Sequence, residues 1–286
     1  MTFKFTGKPF IDKITVPQYN ELPCLRSSAI KDFMKSPAHY RYSQLNPDFD
    51  SGAKHLVLGS YVHALLLEPD TVNDQFIVVD MKTRHNKEYH AAAAVAQRTG
   101  KSVLLTEEKL DAERMVESCH NDPYVMELLN ESFPEVSAAA KIGDVWLKCR
   151  MDAYIPERRT MVDIKTTGES IYWVENNIRR WQYDISAPLY MDVLNTAAAD
   201  TGDAGHGADT YLFIFIEKSA PFGVKIFEMS SEYLADGRTR YMNALPQFRK
   251  CLAENVWPGY DNSVRTLLYP RNKVDSLSPN ERPATS

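Results

Sequence analysis

Two runs of alternating apolar and polar residues, VWLKCRMDAYI over 145–155 and MVDIKTT over 161–167, are separated by the five residues PERRT. A period of two marks a β-strand with a packed face and an open face, and a short polar break between two such runs predicts a hairpin. In the first run Trp146, Lys148, Arg150, Asp152 and Tyr154 are expected on one face, with Val145, Leu147, Cys149, Met151 and Ala153 on the other. In the second, Asp163 and Lys165 point away from the layer that takes Val162 and Ile164. If Tyr154 pairs with Met161 across the turn, Asp152 falls directly opposite Asp163, with β-carbons about 5 Å apart.

Two carboxylates held that close repel by a few kcal/mol at an effective dielectric of about 20. Either one pKa rises or a cation is bound between them. Mg²⁺ suits such a place, because it takes a few oxygen ligands, keeps waters and leaves positions open for a phosphate. The Ile164 carbonyl can add an oxygen, and Lys165, on the face of Asp163, would stand beside the reacting water and phosphate. Spacing alone leaves two readings open, a half-buried strand with a charged face or a metal-dependent nuclease. Similar triplets occur at Asp80-Met81-Lys82 and Glu107-Glu108-Lys109. Glu107 opens a helix, and Asp80 has only Asp70 upstream, after a helix end and without a partner strand.

The remaining chain bounds the class. Its 286 residues, 44% hydrophobic, can bury a sizeable core. No stretch approaches the run of about 18 apolar residues that crosses a bilayer, and the first residues lack a secretory layout, so a cytoplasmic location and no membrane partner are expected. Cys24, Cys119, Cys149 and Cys251 form no CxxC pair; they read as reduced thiols in or near the core, with no iron–sulfur cluster. A net charge of −5 argues against coating nucleic acid by bulk electrostatics, so DNA would need a local basic lining.

Punctuation by Pro, Gly and capping residues divides the chain into an arm over 1–26, one domain over 27–269 and a flexible tail over 270–286. The arm reads as strand-like pieces broken by Pro17 and Pro23, followed by a helix capped by Ser27 or Ser28 and a short helix after Ser36-Pro37. A buried helix should end before Pro69, a strand should cover 76–80, and helices should cover 88–98, 107–120 and 123–131. Beyond the hairpin come a helix over 171–195, a mobile polar loop over 196–209, strands over 210–217 and 223–230, and a helix over 231–253.

The hairpin segment LKCRMDAYIPERRTMVDIKTT resembles the core of the PD-(D/E)XK nucleases. With SSAIKDFMKSPAHY, LGSYVHALLLEP, FIVVDMKTRHNKEY, TGKSVLLTEE and YDISAPLYMD in the same order, residues 25–270 are similar to the RecE-type exonuclease (exonuclease VIII) branch of phage and prophage recombination systems. The resemblance implies an α/β fold with a restriction-endonuclease-like core, a central mixed β-sheet flanked by helices. It implies Asp152 and Asp163 as metal carboxylates, the Ile164 carbonyl and His63 as further ligands, and Lys165 as the catalytic lysine. Without the family, a lone histidine on a leucine-rich helix reads as a satisfied core residue. Glu135 is either an outer carboxylate or a strand-start residue. The family's Gln-x-x-x-Tyr pair is altered, with Ser186 and Tyr190 at its places and Gln182 one turn earlier. Arg179 and Arg180 are candidates for phosphate contacts or are solvated helix charges.

The activity implied is Mg²⁺-dependent digestion of one strand of linear double-stranded DNA, 5′→3′ from its ends, leaving 3′ single strands for recombination by strand annealing, with Mn²⁺ able to substitute. A ring-shaped homo-oligomer and a single-strand annealing protein are the implied partners. An iron–sulfur nuclease of the RecB or CRISPR-adaptation kind is disfavoured, since only Cys251 lies late in the chain. The alternative from another class is a catalytically inactive DNA-binding or assembly subunit on the same fold.

Overall fold

The structure, a computed structural model, describes residues 4–46, 53–202, 204–264 and 266. The expected tail over 270–286 lies outside the described residues. In chain order the elements are β1 (Phe10–Asp12), α1 (Val16–Glu21), α2 (Ser27–Lys35), α3 (Pro37–Leu45), α4 (Ala53–Leu67), α5 (Val72–Gln75), β2 (Phe76–Val79), α6 (Lys87–Thr99), β3 (Ser102–Leu105), α7 (Thr106–His120), α8 (Pro123–Glu131), β4 (Phe133–Ile142), β5 (Val145–Ile155), β6 (Thr160–Thr167), α9 (Val174–Asn177), α10 (Tyr183–Asp200), β7 (Thr210–Glu217), β8 (Val224–Glu228) and α11 (Ser231–Glu254).

The main sheet is mixed, in the order β1-β4-β5-β6-β7-β8. Only β6 and β7 run parallel within it. A parallel pair needs a crossover, and the segment carrying α9 and α10 supplies it. The β4–β5 hairpin turns on Gly143 and Asp144, both with positive φ, as a tight two-residue turn demands. One sheet face takes Leu147, Cys149, Met151, Phe213 and Phe215 against α2, α10 and α11. The other takes Ala153, Ile155, Val162, Ile164 and Ile214 against α4, α7 and α8. Phe213 and Phe215 are fully buried, each worth about 2–3 kcal/mol of transfer free energy. The first face closes tightly at Gly237, where an added Cβ would lie 1.7 Å from the Asp184 carbonyl oxygen of α10. A separate parallel pair, β2 with β3, sits beside α6 and α7.

The structure departs from the sequence expectations at five places. Within the arm, Val16–Glu21 is helical rather than strand-like: Pro17 falls in the first turn, where its missing N–H costs nothing, and Thr15 with Gln18 forms a capping box. Ser27 lies inside α2, whose N-cap is Arg26 and has no side-chain cap bond. The expected continuous helix over 171–195 is broken before Tyr183, because Gln182 adopts a left-handed conformation (φ 55°). The loop expected over 196–209 begins later, since α10 runs to Asp200 with Ala197 and Ala198 fully buried.

The fifth departure lies in β5. Tyr154 packs with Leu147 and Met151 while Ala153 packs with Val162 on the opposite face, so the alternation slips at Asp152. Across the β4–β5 pair, Glu135 has a φ of 60° at the same level. Trp146, Lys148 and Arg150 therefore do not share a face with Tyr154. On their own face they receive the N-terminal segment. Lys148 Nζ donates to the carbonyls of Tyr19 (2.7 Å) and Leu22 (3.0 Å), capping the end of α1, and Arg150 reaches the Ile14 carbonyl (3.1 Å).

Candidate active site

Tyr154 pairs with Met161 and Ala153 with Val162, and there the β5–β6 ladder ends. From that point β5 stays with β4 while β6 stays with β7, and a notch opens between them. Asp152 and Asp163 flank its apex. Beyond its last partner on β5, β6 offers backbone groups to side chains: the Ile164 N–H donates to Asp152 Oδ2 (2.8 Å), and the Ile164 carbonyl accepts from His63 Nε2 (2.9 Å). His63 Nδ1 lies 3.6 Å from Asp152 Oδ2. Gly59, one turn earlier on α4, permits this approach, because a Cβ there would be 3.1 Å from Thr166 Oγ1. Lys165 Nζ donates to Asp163 Oδ1 (2.5 Å) and lies 3.4 Å from the Ile164 carbonyl.

The electrostatics follow from this crowding. Burial, then the charge of Asp163, pushes the Asp152 carboxyl well above its ordinary range, and the two carboxyls hydrogen-bond to each other. Burial acts to raise Asp163 as well, but the Lys165 ammonium and the bonds from Asp152 and Lys165 outweigh it and hold this carboxyl low. Lys165 is stabilised as a cation because the two carboxylates overcome its burial. His63 is pushed down to about 4 by burial and by Lys165, so its imidazole is neutral. The pair is thus split, Asp152 pushed toward its neutral form and Asp163 held in an ion pair with Lys165.

Around this centre is a cavity of about 450 Å³ whose lining includes His63, Glu135, Arg150, Lys165, Tyr183 and Lys218. Glu135 is ion-paired with Arg150. His63, Glu135 and Asp152 present ligand atoms all within 4.8 Å of one another. A donor set of carboxylates, a backbone carbonyl and an imidazole suits a hard divalent ion. The crowding that raises Asp152 is what such an ion would relieve. Asp152, Asp163, Glu135, His63 and the Ile164 carbonyl could hold it.

The remaining candidates divide. Gln182 does not line the cavity; Tyr183 does, because the left-handed residue ends the preceding turn and α10 starts only after it. Ser186 is buried and its hydroxyl donates to Ser27 Oγ of α2 (3.5 Å), while Tyr190 also bonds the Ser27 side chain. These two positions therefore clamp α2 to α10. Arg179 is paired with Asp236 (2.6 Å) and Arg180 with Glu169, both on the surface. Sequence reasoning missed Tyr183 and Lys31. The Tyr183 ring lies 5.4 Å from Lys165 Nζ and 5.6 Å from Lys31 Nζ.

Comparison with known structures bears on the fold. A crystal structure from Eubacterium rectale assigned as an exonuclease superposes with a TM-score of 0.63 at 18% identity, covering 92% of this chain and 97% of that one. A phage-related exonuclease from Haemophilus somnus 129PT gives a TM-score of 0.36 at 10% identity, over 81% of this chain and 96% of that one, too low to carry an argument. No curated protein matches the chain. Among the described residues no helix is long and apolar enough to cross a membrane. The signature of the family described as "PDDEXK-like domain of unknown function (DUF3799)" matches residues 26–266, nearly the whole of the described fold, and the chain belongs to this PDDEXK-like family.

Proposed function

We propose that the protein is a divalent-metal-dependent exodeoxyribonuclease that hydrolyses phosphodiester bonds at the ends of linear double-stranded DNA. The observation that carries this reading is the parting of β5 and β6 at Asp152 and Asp163, with His63, the Ile164 carbonyl and Lys165 gathered at the same point. A structural ion pair would need one carboxylate. Here two are forced together, and one has its pKa pushed up by burial and by the charge of the other.

Asp152, Asp163, the Ile164 carbonyl and His63 would hold Mg²⁺ or Mn²⁺, with Glu135 as an outer carboxylate. A bound divalent ion supplies Lewis acidity toward a phosphate oxygen. Lys165 then faces the phosphate as it gains negative charge, held in place by Asp163 and by the Tyr183 ring. Hydrolysis breaks one P–O bond, the attacking water gives up a proton and the departing oxygen gains one. A ring of subunits whose basic groups line only the DNA channel would reconcile a net charge of −5 with DNA as substrate. Degradation 5′→3′, a strand-annealing partner and action inside a bacterial cell complete the reading, on the resemblance to phage recombination exonucleases.

The test compares linear with covalently closed circular duplex DNA, each with Mg²⁺ and with chelator, for wild type and Asp163→Asn. Loss of the linear DNA alone, dependent on metal and on Asp163, is expected. Rapid cutting of the circle would defeat end dependence, and equal activity in the variant would defeat the site.

A further inference from the structure

Several cations of the notch and of the helices beside it are paired within the protein. Lys165 is paired with Asp163, Arg150 with Glu135, Arg240 with Asp184, and Lys35 with Asp32. Lys31 differs. Among the described residues it makes no ion pair with a carboxylate within 4.0 Å, although it is only partly exposed and stands with Lys165 against one aromatic ring. That ring is fixed from behind, since Tyr183 packs on Phe213 at 5.5 Å and on Phe215 at 6.1 Å between centroids.

The helix that carries Lys31 is fixed as well. Ser27, one turn earlier on α2, is bonded by Ser186 and Tyr190, so the fold holds an ammonium with no direct ion pair against the ring that Lys165 also meets. Burial and the charge of Lys165 act against it and outweigh the pull of Asp163 and Asp184, neither within 4.0 Å, lowering Lys31 to about 8. Two like charges brought together in a part-buried setting are costly unless an anion lies between them. A phosphate oxyanion is the anion that a nucleic-acid cleft offers, and ammonium groups bind it as point charges.

We propose that Lys31 and Lys165, both set against the Tyr183 ring, jointly seat a phosphate of the nucleic acid, and that its position beside Asp163 makes it the diester being cut. This rests on the nuclease reading above. The other source of the same chemistry is the terminal phosphate of the DNA end. Lys31 would then be a catalytic residue donated by the N-terminal part of the chain, in a family whose paired Gln is here Ser186.

The test uses the full chain, with Ca²⁺ in place of Mg²⁺ to hold DNA uncleaved. Wild type, Lys31→Met and Lys31→Arg are titrated with three duplexes: all-diester with a 5′-phosphate, the same with a 5′-hydroxyl, and one with uncharged methylphosphonate linkages next to the ends. Lys31→Met keeps the aliphatic stem and Lys31→Arg the charge, so thermal unfolding can confirm that at least one variant is folded. Wild type and Lys31→Arg should lose roughly tenfold in affinity on neutralisation of the linkages, and Lys31→Met less than about threefold, as expected when a charged contact is already gone. With Mg²⁺, Lys31→Met should lose on the order of a hundredfold in kcat/KM. Equal sensitivity of all three proteins to neutralisation overturns the proposal, and a Lys31-dependent loss that follows the 5′-phosphate overturns the diester assignment. If wild type cuts DNA and Asp163→Asn does not, yet Lys31→Met cuts like wild type, only this inference fails. If wild type cuts nothing, the nuclease reading fails with it.

Discussion

Asp152→Asn should make the metal-free protein more stable while destroying its response to metal. The asparagine keeps an acceptor for the Ile164 N–H, now 2.8 Å from the carboxylate, and removes the charge facing Asp163. Two unit charges about 5 Å apart at an effective dielectric of about 20 repel by about 3 kcal/mol. Lys165 offsets part of this, leaving about 1–2 kcal/mol. Whether the wild type endures the repulsion or takes up a proton to avoid it, it gives up stability of that order. The gain corresponds to roughly 2–4 °C in Tm for a domain of this size.

The sign of the pH dependence is fixed by the same pair. The folded carboxyl of Asp152 lies above its unfolded value. Its stabilising contribution is therefore complete below the unfolded carboxylate pKa of about 4 and is lost as pH rises toward the raised folded value. The variant's advantage should be absent near pH 4, grow as pH rises, and then level off. Thermal unfolding in chelator across pH 4–8, repeated with Mg²⁺, measures both effects. At a Mg²⁺ concentration of about ten times its Kd, wild type should gain about 1.4 kcal/mol and the variant almost none. A variant no more stable than wild type at pH 8, or one that still gains from Mg²⁺, would refute the reasoning.

Three further outcomes follow from the geometry. Lys165→Ala should retain metal-induced stabilisation and lose most turnover, which calorimetric titration of Mg²⁺ beside a nuclease assay can separate; lost metal affinity would contradict the role given to the ammonium. Gly237→Ala should lower stability by about 1–3 kcal/mol or more, read by urea unfolding, because the new methyl meets the Asp184 carbonyl at 1.7 Å. Cys119 and Cys149, pushed up to about 12 by burial, should resist a thiol reagent until denaturant is added.

What could be read from the sequence was what local chemistry decides. The start of α8 is set by Asp122, whose carboxylate accepts from Tyr124 N–H and Val125 N–H, and Pro123 follows it. The hairpin register was legible because the turn and a period of two leave little choice, and it brought Asp152 to Asp163. The break at Gln182 was not, because a non-glycine residue in the left-handed region leaves no compositional mark. The slip in β5 was hidden for the same reason, at Glu135. The last turns of α10 read as a loop because alanines become core only when β4 and β5 cover them. Within the site, side chains on neighbouring strands were foreseeable, whereas Lys31 and Tyr183 meet only through the docking of α2 on α10.

The bond from Lys148 to the end of α1 ties two distant parts of the chain together. Here an ammonium, 4% exposed, closes the end of α1 and adds to the β1–β4 pairing that already holds the leading segment on the central sheet. The strand that carries Lys148 also bears Arg150, on the Ile14 carbonyl, and Asp152. Val16 of the leading segment lines the cavity, so the amide-exchange rates of residues 14–22 become a gauge of whether the notch is filled.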